Sequence, residues 1–371
     1  MILLLSRLKI HVSPSLAAAA PLRENRDKKE AKILRPAGFY EKKDGLKVIC
    51  QLCGHSCSLP PGGRGRCRVR VNREGRLFSA NYGRIVAANP DPVEKKPLYH
   101  FLPGSLSYSI AALGCNFSCD FCQNWQISQA GPHLPAQAGR LPRRSPGEIA
   151  ASASAFACRS VSYTYTEPLV FWEYALECMQ LAREAGLANI VVSNGFGSQL
   201  AWQASEGLLQ GANIDLKAFD PAFYRNHCGG RLEVVLDTLR QLKSQGVWLE
   251  ITTLIIPGLN DAPGDLEKLA SFIADELSPH TPWHISAYRP AYRQTAPPTG
   301  PEALLKAWDL AGQAGLKFVY PGNLPLPRAG DTRCPECRLL LVERDRFTVR
   351  RNLLKKDGIC PQCGAKTAGV W

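Results

Sequence analysis

From Leu106 to Tyr320 the sequence alternates short apolar segments with helical patterns, and this alternation restricts the fold more than any other feature. The strand candidates are 106–113, 161–166, 190–193, 213–216, 248–255, 283–287 and 317–320. Most are rich in β-branched or aromatic residues, which suit a pleated, half-buried surface. Between them, Pro146-Gly147-Glu148 opens one helix with proline in the first turn. Pro168 to Ala185 ends at Gly186, Arg231 to Gln245 at Gly246, and Pro301 to Ala314 at Gly315, since glycine readily takes the left-handed backbone that closes a helix. A further helix runs from Gly264 to Leu277 and stops before Pro279. Regular βα alternation implies parallel strands joined by right-handed crossovers. The units are too few for a closed eight-stranded barrel. The expected fold is therefore α/β, a partial (β/α)6-type barrel over 105–328.

Polar punctuation follows each strand. A cysteine loop follows the first, Thr166-Glu167-Pro168 the second and Ser193-Asn194-Gly195 the third. Asp215-Leu216-Lys217 ends the fourth, Pro257 to Asp261 follows the fifth, Tyr288-Arg289-Pro290 the sixth and Pro321-Gly322-Asn323 the last. All lie at C-terminal strand ends, the face on which βα barrels build active sites. His284 and Arg289 are further candidates, for a substrate, a cofactor or a structural role.

Eleven of the 14 cysteines fall into three clusters. Cys115, Cys119 and Cys122 are spaced C-x3-C-x2-C, with Phe121 before the last. Three thiolates can hold three irons of a cubane [4Fe–4S] cluster and leave the fourth open to a reacting molecule. The alternatives are a zinc site with a distant fourth ligand, or buried free thiols. Cys334-Pro-Glu-Cys337 and Cys360-Pro-Gln-Cys363 form two C-P-x-C knuckles. They predict a closed four-thiolate site of zinc-ribbon or rubredoxin-like type over 329–371, holding zinc or a single iron. Cys50, Cys53, Cys57 and Cys67 are spaced less regularly. They predict a four-cysteine metal module over 45–104, with zinc or an auxiliary iron–sulfur cluster. His55 is an alternative ligand there. Cys158 and Cys178 read as buried small hydrophobes.

Clustered cysteines in a chain of 371 residues indicate metal binding in a reducing cytoplasm rather than a secreted disulfide framework. The net charge is +13, but residues 101–329 sit at about −3. The positive charge gathers around the two four-cysteine clusters, where bound thiolates partly offset it, so nucleic acid is not the expected ligand. No apolar run approaches the ~20 residues that span a bilayer. Met1-Ile-Leu-Leu-Leu is too short for a signal sequence and has no basic residues before it. Residues 1–44 are expected to be a flexible extension.

The loop from Ala112 to Trp125 resembles the signature of the radical S-adenosylmethionine superfamily, and its surroundings are similar to the glycyl-radical-activating, pyruvate formate-lyase-activating-like branch. Several further motifs carry a closer resemblance, over Val48 to Trp371, to the radical enzyme of the AmmeMemoRadiSam system. They are Cys50-Gln-Leu-Cys53-Gly-His-Ser-Cys57, Arg64-Gly-Arg-Cys67, Glu94-Lys-Lys-Pro-Leu-Tyr-His100, Tyr165-Thr-Glu-Pro168, Asn213-Ile-Asp-Leu-Lys217, Ile256-Pro-Gly258 and Gly369-Val-Trp371.

The resemblance implies a [4Fe–4S] cluster on Cys115, Cys119 and Cys122, with S-adenosylmethionine chelating its open iron through amino and carboxylate groups. Reductive cleavage then yields methionine and a 5′-deoxyadenosyl radical that abstracts hydrogen from a substrate. It further implies that Glu167 receives the methionine ammonium, that Ser193 and Asn194 lie along the ribose and methionine, and that Asp215 and Lys217 lie near the carboxylate. The chain departs from the branch in three places. Tyr165-Thr166 replaces paired glycines, Val192 replaces an acid at a cation site, and Thr252 or Thr253 stands where some relatives have arginine. Implied partners are a reductant such as flavodoxin or ferredoxin and proteins of the Memo and AMMECR types. The expected function is a radical enzyme acting on a partner protein. The alternatives are a small-molecule or RNA-modifying radical enzyme, and a non-catalytic metalloprotein that carries electrons or binds partners.

Overall fold

A computed structural model describes residues 34–129 and 134–371. Most of the expected N-terminal extension lies outside the described residues.

All seven strand candidates form strands. We label the central sheet β1 (Ile85–Pro92), β2 (Leu106–Ala112), β3 (Ser160–Tyr163), β4 (Ala188–Ser193), β5 (Gly211–Asp215), β6 (Trp248–Ile255), β7 (Trp283–Ala287) and β8 (Val319–Gly322). The strands lie side by side in chain order, from β1 at one edge to β8 at the other. β2 to β8 are parallel. The two edge strands do not pair with each other, so the barrel is open and partial. β1, which the alternating pattern did not predict, runs antiparallel to β2, with Ile85 opposite Ala112 and Pro92 opposite Leu106. Its two prolines lack a backbone donor, which an edge strand tolerates.

The main helices are α1 (Pro146–Ala155), α2 (Trp172–Glu184), α3 (Leu232–Ser244), α4 (Pro263–Phe272) and α5 (Pro301–Gln313). α1 starts in a capping box: Ser145 Oγ accepts from Glu148 N, and Glu148 accepts from Ser145 N. Such a cap stabilises a helix by about 1 kcal/mol. α2 buries Trp172, Ala175, Cys178, Met179 and Ala182, the three-to-four-residue spacing of one helix face. Cys158 and Cys178 are buried among hydrophobic neighbours, as expected.

Small antiparallel sheets flank the barrel. On the N-terminal side, Arg70 is buried and forms a two-pronged ion pair with Glu173 of α2, at 2.7 and 2.8 Å. On the C-terminal side, the strands Thr332–Arg333, Leu340–Asp345 and Thr348–Asn352 form a ribbon. The ribbon docks on residues 93–102: Arg344 Nη2 donates to Tyr99 O at 2.6 Å, and Leu102 N donates to Val370 O at 2.6 Å.

Residues 93–102 close the end of the barrel where the parallel strands begin. Asn213 Nδ2 donates to Pro97 O at 2.8 Å. The buried Glu250 of β6 accepts from Tyr99 N at 2.9 Å and His100 N at 2.7 Å.

Candidate active site

The loop after β2 carries Cys115, Cys119 and Cys122 and is pinned from both sides. Ser118 N donates to Cys228 O at 2.9 Å, and Asp120 N to His227 O at 3.1 Å. Asp120 O accepts from Arg293 N and Gln294 N, and its carboxylate meets His227 Nδ1 at 2.9 Å. Gly230 allows this close approach, since a Cβ there would lie 2.3 Å from the Phe117 ring. The three cysteines line one cavity of about 170 Å³, together with Ser193, Asn194, Asp215 and Lys217. The elements that deliver these residues are the C-terminal ends of β2, β4 and β5.

The hydrogen bonds are specific. Asn194 Nδ2 donates to Asn116 Oδ1 at 2.8 Å and approaches Cys115 Sγ at 3.7 Å. Lys217 Nζ pairs with Asp215 Oδ2 at 2.9 Å. Burial works against the Lys217 charge, but Asp215 and the thiols of Cys119 and Cys228 hold its pKa well above the ordinary value.

Glu167 sits differently from its neighbours. It is fully buried and is not among the residues lining the cavity. Its carboxylate accepts from Ser193 Oγ at 2.8 Å, Asn194 N at 2.9 Å and Leu169 N at 3.1 Å. It therefore fastens the turn after β3 to the turn after β4. Burial pushes its pKa up to about 7, although these donors favour the charged form.

His284 also lies away from the cavity, buried against Glu250 at 2.7 Å. Arg289 is exposed, and its carbonyl accepts from Gln123. Thr252 and Val192 line the cavity, whereas Thr253 donates to Leu216 O.

Two features of the site were not read from the sequence. Cys228, more than a hundred residues from the loop, places its thiol against Cys119, and this hydrogen bond comes first among the effects lowering the Cys119 pKa. Lys95 and Pro97, which the sequence marked only as part of the Glu94 to His100 motif and not as site residues, line the cavity from the closed end.

Among the described residues, Cys334, Cys337, Cys360 and Cys363 form the group whose ligand atoms all lie within 4.8 Å of one another. Their two knuckles match: Cys334 N donates to Leu339 O and Cys360 N to Ala365 O. Cys50, Cys53, Cys57 and Cys67 surround one small cavity beside Arg70 but do not reach that spacing. The segment carrying them packs on the loop after β4, where Gly54 N donates to Phe196 O, and His55 Nε2 meets Asn116 O at 2.7 Å.

The Radical SAM superfamily model matches residues 110–273. The chain is 41% identical to the uncharacterized protein MJ0808 of Methanocaldococcus jannaschii, over 90% of this chain and 98% of that protein. It is 26% identical to the uncharacterized protein MJ0674 of the same organism, over 80% of this chain and 85% of the other. A domain of pyruvate-formate lyase-activating enzyme from Bacteroides vulgatus is similar in structure at 17% identity, with a TM-score of 0.40, over 44% of this chain and 99% of that one. SuiB of Streptococcus suis is similar at 12% identity, with a TM-score of 0.47, over 64% of this chain and 53% of its own. The sequence matches span the cysteine loop and the strands that surround it, and the chain belongs to the radical SAM superfamily as a radical SAM enzyme.

Proposed function

We propose that this enzyme uses a [4Fe–4S] cluster on Cys115, Cys119 and Cys122 to cleave S-adenosylmethionine and abstract hydrogen from a partner protein, as in the AmmeMemoRadiSam system. The observation that carries this reading is the convergence of three thiols and the Asp215–Lys217 pair on one cavity at the C-terminal strand ends. The donor set fits the group: three cysteine sulfurs line one cavity, and burial, with the neighbouring acid and thiols, pushes Cys115 and Cys122 above the ordinary thiol value, a cost that a bound metal would remove. When bound, the cluster supplies the electron that splits S-adenosylmethionine into methionine and a 5′-deoxyadenosyl radical.

The chain's own residues bind and orient. Lys217 offers an ammonium to the cofactor carboxylate, and Asp215 fixes its position. Asn194 and Ser193 present polar groups along the cofactor, and Glu167 holds both in place. Ionised by an approaching ammonium, Glu167 would also offer a negative charge to the methionine amino group. Cys228 donates to Cys119 and steadies the loop.

The C-terminal four cysteines suit a structural zinc, and the N-terminal four a second zinc. Burial and mutual repulsion push Cys50 up to about 11, a cost that a bound cation removes. A low-potential reductant such as flavodoxin or ferredoxin is proposed as the electron source. The exposed Arg66 and Arg68 line a cleft with Asn116, Phe117 and Ser118 of the cysteine loop, which suits an acidic carrier. Proteins of the Memo and AMMECR types are the proposed partners, and the cytoplasm the proposed compartment. No helix among the described residues is long and apolar enough to cross a membrane.

The test is cofactor turnover. Anaerobically reconstituted, reduced enzyme should convert S-adenosylmethionine to 5′-deoxyadenosine, and Cys119→Ala should abolish both this and the cluster absorbance. Unchanged turnover in that variant would refute the assignment.

A further inference from the structure

The cavity has two ends of different chemistry. At the rim stand the three thiols with Asp215 and Lys217. At the floor stand Lys95 and Pro97. β1 explains the arrangement: because it is antiparallel to β2 and Pro92 pairs with Leu106, the chain leaves β1 where the parallel strands begin, opposite the cysteine loop. Residues 93–102 then cross beneath the barrel, held by Asn213 and Glu250, and Lys95 borders the cavity from below.

The charges at the floor do not balance. Asp91 accepts from Lys95 Nζ at 2.6 Å and from Lys96 Nζ at 2.7 Å. Tyr165 donates its hydroxyl to the same carboxylate, and Lys96 Nζ lies 3.1 Å from the Tyr165 oxygen and 4.5 Å from the ring centroid. Lys96 is fully buried, and the Lys95 side chain is 14% exposed. Two ammonium groups thus share one carboxylate, an excess of one positive charge in a site largely removed from water. Among the residues lining the cavity the carboxylate is Asp215, which Lys217 already engages. An unbalanced buried charge is costly, and a bound counter-ion relieves it.

The backbone at this place is also held in an uncommon state. Tyr165 has φ of 72°, and its carbonyl accepts from Asn124 Nδ2 of the cysteine loop at 2.9 Å. A bulky residue is rarely found there unless its surroundings impose it. Tyr165 therefore ties the floor cluster to the loop that carries the thiols.

We propose that Lys95 binds a free carboxylate of the substrate at the cavity floor, with Asp91, Lys96 and Tyr165 positioning its ammonium. A carboxylate carries one negative charge and matches the excess, whereas a phosphate dianion exceeds it. The group to be attacked then lies between the floor and the rim. This proposal rests on the radical SAM reading for the location of the cofactor, but its test does not need turnover.

The test is calorimetric titration of the anaerobic, cluster-loaded enzyme saturated with S-adenosylmethionine. The probes are propionate, its neutral isostere propionamide, and inorganic phosphate. Propionate should bind saturably and more tightly than either of the others. Lys95→Met should weaken propionate binding at least about tenfold, equivalent to about 1.4 kcal/mol, and Lys95→Arg should retain most of it. Circular dichroism of each variant checks that it is folded, and the arginine variant keeps the test decisive if the methionine variant is not. Absence of saturable propionate binding, equal binding of propionamide, a preference for phosphate, or propionate affinity unchanged in Lys95→Met would each overturn the proposal. So would an equal fall in affinity for S-adenosylmethionine, which would assign Lys95 to the cofactor. Cofactor cleavage by the wild-type enzyme is measured separately. An enzyme that binds propionate through Lys95 but cleaves no cofactor would sink the radical reading alone.

Discussion

Removing the Glu250 carboxylate should release the cavity floor. Its Oε1 accepts from His100 N at 2.7 Å and Trp248 Nε1 at 3.1 Å. Its Oε2 accepts from Tyr99 N at 2.9 Å and meets His284 Nε2 at 2.7 Å. Burial would raise the Glu250 pKa, but His284, His100 and the Tyr99 amide together hold the carboxyl below its ordinary value. Two substitutions separate these bonds. In Glu250→Gln the oxygen can keep His100 and Trp248, and His284 can change tautomer to accept from the amide. The Tyr99 N–H is then left facing a donor, at a cost of about 1–3 kcal/mol. In Glu250→Ala all four partners lose their acceptor. Allowing for water entering the space, the cost is about 4–8 kcal/mol, against a total stability of about 5–15 kcal/mol for a typical domain.

The assay is anaerobic thermal unfolding followed by circular dichroism. At about 2–4 °C per kcal/mol for a barrel of this size, Glu250→Gln should lower Tm by about 2–12 °C and Glu250→Ala by about 8–32 °C. Amide exchange at Tyr99 and His100 should accelerate in the same order. If Glu250→Ala melted within about 2 °C of wild type, Glu250 would not be what holds residues 93–102 beneath the barrel.

Other outcomes follow from the same geometry. Arg70→Met should destabilise the enzyme by about 3–5 kcal/mol, because it strands the Glu173 charge. A double-mutant cycle with Glu173→Met should show strong coupling, and simple additivity would contradict the pairing. Burial depresses the His100 pKa to about 4, so between pH 6.5 and 4 the unfolded chain binds a proton that the folded chain does not. This contribution is fully present above pH 6.5 and is lost as pH falls through the window, by about 3 kcal/mol in all. Unfolding measured across that range should be less pH-sensitive in His100→Gln than in wild type. Cys337→Ser should release one equivalent of metal by elemental analysis and lower the melting temperature of the C-terminal ribbon. Unchanged metal content would remove the site.

Local order was legible because it repeats at short range. The β-branched-rich segment Ile251 to Ile255 and the Pro301 to Gln313 helix reveal themselves through backbone bonding and burial that recur every few residues. Cysteine spacing was equally readable, since each C-P-x-C knuckle places two thiols within one turn of chain and the C-x3-C-x2-C loop places three within eight residues. The seven parallel strands and the C-terminal four-thiolate site followed from these patterns. Long-range convergence left no such mark. β1 reads as a proline-containing loop and becomes a strand only because β2 offers it an edge. Cys228 meets Cys119, Glu250 meets Tyr99, and Lys95 reaches the cavity only once the sheet has curved and residues 93–102 have crossed beneath it. A side chain's nearest neighbours across the barrel depend on how the sheet curves rather than on their spacing along the chain. The candidate cluster ligands could therefore be read from the chain, whereas Lys95 and Pro97 at the cavity floor emerged only from the tertiary structure.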